Sequence, residues 1–164
     1  MGKISNSYLK TAIVTIASVL TLSGCAVKGI PADDWIISKY TDLQELESFC
    51  DDLDDTLALY LTSAISQEEY LNTMLSMEAT FEQLRETQED DDIKPGSFNE
   101  ITINAKTSYE KVWDDMGKLI YAMQTDEEAL NSKDALSYLY LAYKNEISDD
   151  IAGYMSGYQS IKEK

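Results

Sequence analysis

The sequence has no histidine, only two cysteines and only two prolines. Histidine is the commonest metal ligand and general base in proteins, so its absence excludes Ser-His-Asp and Cys-His catalytic groups. It also excludes a di-iron helical bundle, which needs inward Glu-x-x-His pairs. We therefore predict a non-enzymatic protein with no catalytic residues, no metal site and no cofactor.

Basic residues are scarce as well, with 13 lysines and arginines against 30 aspartates and glutamates. Neutralising the phosphates of a nucleic acid requires clusters of basic side chains, so this composition excludes nucleic acid as a partner. The negative charge would attract basic partners or divalent cations over a long range, or it serves solubility alone.

A long hydrophobic run is also missing. The longest candidate is the uncharged stretch Thr11 to Leu22, in which eight of twelve residues are Ala, Ile, Val or Leu. As a helix it would rise about 18 Å, short of a hydrocarbon core of about 30 Å. Lys3 and Lys10 precede it, and small residues follow. A positive end, a short apolar run and a small-residue exit are the three parts of a secretory signal peptide.

The end of this segment, Leu22-Ser23-Gly24-Cys25, resembles the lipobox of bacterial lipoproteins at every position. The resemblance covers roughly the first 25 residues, and we can name no family for the remainder. It implies a diacylglyceryl thioether on the Cys25 sulfur, cleavage before Cys25, and a protein attached to the extracytoplasmic side of the cell membrane. Two acyl chains give stable anchoring. The alternative is an uncleaved anchor with an incidental cysteine.

The predicted organisation is therefore a signal peptide over residues 1–24, a lipidated cysteine and tether over 25–32, and a domain over 33–164. Gly29 and Pro31 discourage helix in the tether. At most about 3.5 Å per residue, the tether reaches about 25 Å, which keeps the domain near the lipid surface. The mature part retains 11 bases and all 30 acids, a formal net charge of −19.

For the domain we predict an all-α fold, an antiparallel up-down-up-down four-helix bundle, because four amphipathic stretches are joined by short loops. The first helix is expected from Asp33 to Ala64, with Cys50 on its inner seam. Cys50 is either a small buried residue or an intermolecular link, since no second thiol remains to pair with it. The expected seam is Leu43, Leu46, Cys50, Leu53, Leu57, Tyr60 and Ala64.

Three capping boxes are predicted to open the other helices: Ser66 with Glu69, Ser97 with Glu100, and Thr125 with Glu128. The change in phase of the apolar stripe predicts a reversal near Ser63–Ser66, and Asn131 or Asp134 is expected to restart the last helix after one or two turns. The expected inner faces are Tyr70, Met74, Met77, Phe81 and Leu84; then Ile101, Ala105, Val112, Met116, Leu119 and Met123, with Tyr109 and Trp113 at the margins; then Leu136, Leu139, Tyr143, Ile147, Ile151, Tyr154, Tyr158 and Ile161.

Several features invite a functional interpretation. Tyr138 and Tyr140 lie off the last stripe and are the predicted contact residues for a partner, whereas the other tyrosines of that segment fit core packing. Gly153 and Gly157, four apart, either permit close helix contact or merely loosen the helix. The acidic run 89–92 is either a solvated connector or a weak cation site, and it fails the EF-hand pattern at Lys94 and Pro95.

The sequence therefore predicts a lipid-anchored, extracytoplasmic helical module that binds another protein or an envelope component. The alternative is a small-ligand or cation-binding lipoprotein. An apolar cavity with inward polar groups would favour the ligand, and a large exposed aromatic patch would favour the partner. The oligomeric state is left open.

Overall fold

The computed structural model describes residues 29–88 and 92–163, and within them the chain is predominantly helical and contains no strand. The predicted all-α class is confirmed. The predicted signal peptide, Cys25 and most of the acidic run 89–92 lie outside the described residues. The helices are α1 (Ala32–Leu61), α2 (Gln67–Glu86), α3 (Glu100–Thr125), α4 (Glu127–Asn131) and α5 (Lys133–Lys162).

The reversal between α1 and α2 lies where it was predicted. Ser63 has a φ of +61°, a left-handed conformation that turns the chain after the last residue of α1. Ser66 then caps α2, because its side chain accepts a hydrogen bond from the Glu69 amide and the Glu69 carboxylate accepts one from the Ser66 amide. The predicted capping box is confirmed, and it fixes the start of α2.

The predicted box of Ser97 and Glu100 is wrong. Asn99 is the N-cap of α3, and its Oδ1 accepts a hydrogen bond from the Thr102 amide at 2.9 Å. The Ser97 hydroxyl instead donates to the Lys94 carbonyl at 2.7 Å, inside the turn that precedes the helix. Asn and Ser are comparable N-caps. Asn99 is the cap because it directly precedes the first residue of α3 and its backbone is extended.

The box of Thr125 and Glu128 is also wrong. Asp126 caps α4 by accepting a hydrogen bond from the Ala129 amide at 2.9 Å, while the Thr125 hydroxyl donates back to the Tyr121 carbonyl. The restart after one or two turns is confirmed, since α4 has five residues. The capping residue of α5 is Ser132, rather than Asn131 or Asp134.

The core contains most of the predicted stripes. Two predictions for the α3 stripe and one for the α1 seam are corrected. Ile101 is 41% exposed, whereas Tyr109 and Trp113 are buried. Ala64 lies beyond the end of α1 and is exposed. Tyr109 is held inside by its hydroxyl, which donates to the Asp42 carboxylate at 2.8 Å. The largest fully buried side chains are Tyr70, Tyr154, Phe81, Ile36, Leu46, Leu53, Met74, Met116, Leu119, Ile120, Met123 and Leu136.

Helices α1 and α5 run in opposite directions. The Tyr154 hydroxyl, near the end of α5, donates to the Ile36 carbonyl near the start of α1. At the other end, the Lys133 ammonium at the start of α5 donates to the Tyr60 carbonyl at 2.6 Å. Tyr60 also stacks on Tyr70 of α2 with ring centroids 4.4 Å apart, which joins the end of α1 to the start of α2.

The glycines of α5 permit the closest helix contact. A Cβ atom added at Gly157 would lie 2.7 Å from the Ala105 Cβ of α3, and one added at Gly153 would lie 2.4 Å from the Ser108 hydroxyl. Helices α3 and α5 accordingly share the most extensive interhelical contact of the described residues. The close-contact interpretation of these glycines is confirmed, and the helix that approaches them belongs to the same chain.

The residues before α1 are fastened to the α2–α3 loop. The Ile30 amide donates to the Asp92 carbonyl at 2.9 Å, and the Lys94 amide donates to the Ile30 carbonyl at 2.8 Å. Ile30 and Ile93 thereby form an isolated parallel β-bridge. Gly29 has a φ of +119°, and a Cβ atom there would lie 2.6 Å from the Asp92 carbonyl oxygen. The second half of the predicted tether is therefore part of the folded domain.

Among the helices that the structure describes, none is both long enough and apolar enough to cross a membrane.

Candidate functional site

A groove of about 410 Å³ lies between α1 and α5. The Tyr154 and Lys133 hydrogen bonds join the two helices at both ends. Between these points, Met116 and Leu119 of α3 contribute to the lining of the groove. Its volume falls in the range of about 300–1,000 Å³ that small-molecule sites occupy. The groove is lined along its apolar part by Leu43, Leu46, Leu53, Met116, Leu119, Ile147, Ile151 and Met155.

The groove is elongated. On α1 it extends from Tyr40 to Asp54, which at 1.5 Å per residue is about 21 Å. Tyr40 closes one end, where its ring stacks on Tyr158 of α5 with centroids 4.5 Å apart. Ile151 and Met155 lie toward the Tyr40 end, and Tyr140 lies toward the Asp54 end. The Tyr40 end is therefore aromatic and largely apolar and the Asp54 end is the more polar, although Gln44, Glu47 and Ser148 also line the groove.

The polar end is formed by three side chains from two helices. The Asp54 carboxylate of α1 accepts hydrogen bonds from the Tyr140 hydroxyl and from the Lys144 ammonium, the latter at 2.6 Å. Lys144 also lies over the Tyr140 ring, 5.3 Å from its centroid. Tyr140 and Lys144 are four residues apart and so share one face of α5. These three residues form what we call the polar cluster.

Ionisation of the polar cluster follows from these contacts. Partial burial acts to raise the pKa of Asp54, but the hydrogen bonds from Lys144 and Tyr140 outweigh it and hold the pKa below its ordinary value. Burial, and then the neighbouring Asp54 carboxylate, raise the pKa of Tyr140. At neutral pH Asp54 is therefore a carboxylate and Tyr140 a neutral phenol.

Cys50 lies in the groove, between the apolar part and the polar cluster. Its side chain faces the interior side of α1, as the predicted seam requires, but it is half-buried and not fully enclosed. Burial, followed by the charge of Asp54, raises the pKa of the Cys50 thiol to about 12. The thiolate is the nucleophilic form, so this cysteine stays protonated and inert at neutral pH.

The two predicted contact tyrosines have different surroundings. Tyr138 is 74% exposed, as expected of a residue free to meet a partner. The prediction that Tyr140 projects away from the core is wrong: it is only 6% exposed, because Asp54 holds its hydroxyl in the groove wall. Asp54, its partner on α1, is correspondingly half-buried.

Sequence reasoning missed the polar cluster. Two signals were present: Tyr140 and Lys144 have the spacing of residues on one helical face, and both flank the apolar stripe at Tyr143 and Ile147. Nothing local indicated the third member, because Asp54 is 86 residues from Tyr140. Within residues 29–88 and 92–163, no group of three or more cysteine or acidic side chains could hold a metal ion.

No protein-family model, no curated protein and no solved structure matches this chain.

Proposed function

We propose that this protein is a lipid-anchored, extracytoplasmic binding protein whose α1–α5 groove takes a small amphiphilic ligand with an elongated apolar body. The observation that carries the proposal is the groove itself, which combines an apolar lining with a polar cluster at one end. Convergent polar groups in a mostly apolar cleft are typical of ligand sites, where the apolar part supplies affinity and the polar groups fix orientation.

We also propose that the four long helices form an up-down-up-down bundle. The antiparallel contacts of α1 with α5 support it, as do the rings of Phe81 on α2 and Trp113 on α3, whose centroids are 5.7 Å apart. The five residues between α1 and α2 favour antiparallel neighbours, whereas the α2–α3 connection, over residues 87–99, is longer than the predicted short loops. Ligand sites in such bundles lie between facing helices, as the groove does here.

The proposed role is binding without chemistry. Cys50 stays protonated, and the Asp54 carboxylate already accepts hydrogen bonds from Lys144 and Tyr140. A general base needs a pKa near the working pH, and the pKa of Asp54 is displaced in the opposite direction. The cluster therefore suits recognition of a polar head group better than proton transfer.

A protein or envelope partner is the second candidate. Tyr138 and Leu141, three residues apart on α5, are both largely exposed. Aromatic side chains are enriched at the centres of interfaces. Two exposed residues make a small patch, and for that reason the ligand groove is preferred.

The groove is tested with a chain that begins at Ala26 and a neutral apolar fluorophore, N-phenyl-1-naphthylamine. Circular dichroism first checks that this chain is helical and melts cooperatively. We expect saturable fluorescence enhancement in the parent chain and at least tenfold weaker binding after Ile151→Trp, which fills the apolar part of the groove. Ile103→Trp, at an exposed site on α3, is the matched control and should bind as the parent does. Equal binding by both variants would refute the groove as the site.

The anchor is tested separately through Cys25. Replacing Cys25 with Ser removes the sulfur that would carry the lipid, so we expect unprocessed precursor and no lipid attachment. Mass spectrometry of the protein purified from its own membranes distinguishes the forms. A mature Cys25→Ser protein that begins at residue 25, or a wild-type protein without lipid, would contradict the anchor.

A further inference from the structure

The fastening of the chain before α1 to the α2–α3 loop has a consequence for orientation. We infer that the end of the domain formed by residues 92–101 contacts the lipid bilayer, with Phe98 and Ile101 entering its surface. This inference rests on the proposed lipid anchor at Cys25.

The length of chain between a lipid on Cys25 and the folded domain is short. Gly29 and Ile30 are held to Asp92 and Lys94, so only the residues between Cys25 and Gly29 remain as a tether. Four residue steps reach at most about 14 Å, compared with about 25 Å for a tether extending to Ala32. A lipid on Cys25 therefore places the bilayer surface next to the α2–α3 loop.

Backbone contacts fix the position of Ile30 at this end of the domain. Two backbone hydrogen bonds of 2.9 and 2.8 Å join Ile30 to the loop, and the Ile93 side chain is buried. The conformation of Gly29 suits glycine, and its contact with the Asp92 carbonyl leaves no space for a larger residue. The exit point of the chain is therefore fixed relative to the helices.

Exposed apolar side chains lie at the end of the domain formed by residues 92–101. Phe98 and Ile101 are 45% and 41% exposed, and Phe98 precedes the Asn99 cap of α3. Ile101 lies against Gly157, near the end of α5. Apolar side chains next to a bilayer gain free energy by entering its interface. Lys94 is outnumbered by Asp92, Glu100 and the acidic residues 89–91, so the contact relies on the apolar side chains and does not require anionic lipid.

The opposite end of the domain provides the control. Leu59, in the last turn of α1, is 47% exposed, which closely matches Phe98. Helix α1 has 30 residues and is therefore about 45 Å long, so the two sites should differ strongly in distance from the bilayer.

The experiment uses the full, lipidated protein reconstituted in phosphatidylcholine vesicles. Cys50→Ala removes the native thiol, and Phe98→Cys or Leu59→Cys carries a nitrobenzoxadiazole fluorophore; spin-labelled phosphatidylcholine is the quencher. We expect quenching at position 98 at least threefold stronger than at position 59. Equal quenching at both sites, or stronger quenching at 59, would overturn the orientation. Lys94→Cys gives a second reporter at the same end if Phe98→Cys does not fold.

Gly29→Ala tests whether the fastening causes the orientation. The added Cβ collides with the Asp92 carbonyl oxygen, so the tether should lengthen while the lipid stays attached. We expect the variant still to float with vesicles, with quenching at position 98 reduced toward, but still above, the value at position 59. Undiminished quenching would overturn the role of the fastening. A parent protein that floats but lacks selective quenching refutes this inference alone, whereas failure to float refutes the anchor and this inference together.

Discussion

The Lys133 ammonium, on the first residue of α5, lies 2.6 Å from the carbonyl oxygen of Tyr60, in the last turn of α1. It also contacts the Leu61 carbonyl and the Ser63 hydroxyl, and it lies over the Tyr60 ring. Helix α1 has no basic residue in its own last turn. Lys133 therefore supplies the positive charge that the C-terminal end of a helix favours.

Replacing Lys133 with Met should destabilise the fold by about 1–2 kcal/mol, because carbonyl groups at the end of α1 lose a charged donor. Urea unfolding of the chain beginning at Ala26 measures the change. Lys111→Met is the control, since Lys111 pairs with Asp150 at 3.8 Å on the surface and such pairs contribute less than about 1 kcal/mol. Equal losses in the two variants would show that Lys133 is an ordinary surface lysine.

Gly157→Ala should destabilise the protein although alanine is the better helix former. The gain in helix propensity is about 1 kcal/mol, whereas overpacking typically costs about 1–3 kcal/mol. The obstacle is the Ala105 Cβ, 2.7 Å from the new methyl group, which cannot rotate away. We expect a lowered melting temperature by circular dichroism.

Gly153→Ala provides the comparison for that prediction. Its nearest neighbour is the Ser108 hydroxyl, which can change rotamer, so the loss should be smaller than for Gly157→Ala. A Gly157→Ala variant that is more stable than the parent would show that α3 and α5 separate at little cost.

Local patterns in the sequence predicted some local structure correctly. The Ser66 and Glu69 box was predicted from its spacing, and the structure has it. Ser97 also stands three residues before a glutamate, but Asn99 lies closer to the start of the helix and takes the cap. A spacing pattern cannot decide between two suitable caps, since that depends on where the backbone leaves the preceding turn.

The site was harder to predict than the helices. Helical periodicity placed Ile147 and Tyr154 in the core correctly, because a stripe is a property of one segment. Tyr140 was misplaced because its position depends on Asp54, a residue of another helix. The bridge between Ile30 and Ile93 was missed for the same reason, since each residue alone is simply an apolar residue in a loop.

The polar cluster should make a pH-dependent contribution to stability. The pKa of Asp54 is lower in the folded state than its ordinary value of 3.8, so its contribution is present above about pH 4 and is lost as pH falls through the folded-state pKa. Because the Asp54 side chain is 39% exposed, solvent screening limits the contribution to less than about 1 kcal/mol.

Asp54→Asn measures this contribution. We expect the variant to be less stable than the parent at pH 7, by a difference that shrinks as pH falls below about 4, as determined by urea unfolding at pH 7 and pH 3. Asp55→Asn, at an exposed neighbouring position, should show no comparable pH dependence. A difference between Asp54→Asn and the parent that is as large at pH 3 as at pH 7 would contradict a role for the ionised carboxylate.

Cys50 should react slowly with thiol reagents in the folded protein. With a pKa of about 12 instead of 9.0, its thiolate fraction near pH 8 is about a thousandfold smaller than that of an ordinary cysteine. In the chain beginning at Ala26, labelling by a bulky maleimide should therefore be slow and should accelerate in urea. The rate should rise about tenfold per pH unit between pH 7 and pH 10, because the thiolate fraction grows in that proportion below the pKa.

Ser48→Cys in a Cys50→Ala background places a thiol on the exposed face of the same helix and should label rapidly, with a rate that levels off near pH 9. The same levelling at Cys50 would mean that the groove does not desolvate the thiol, and it would weaken the assignment of this groove as an apolar binding site.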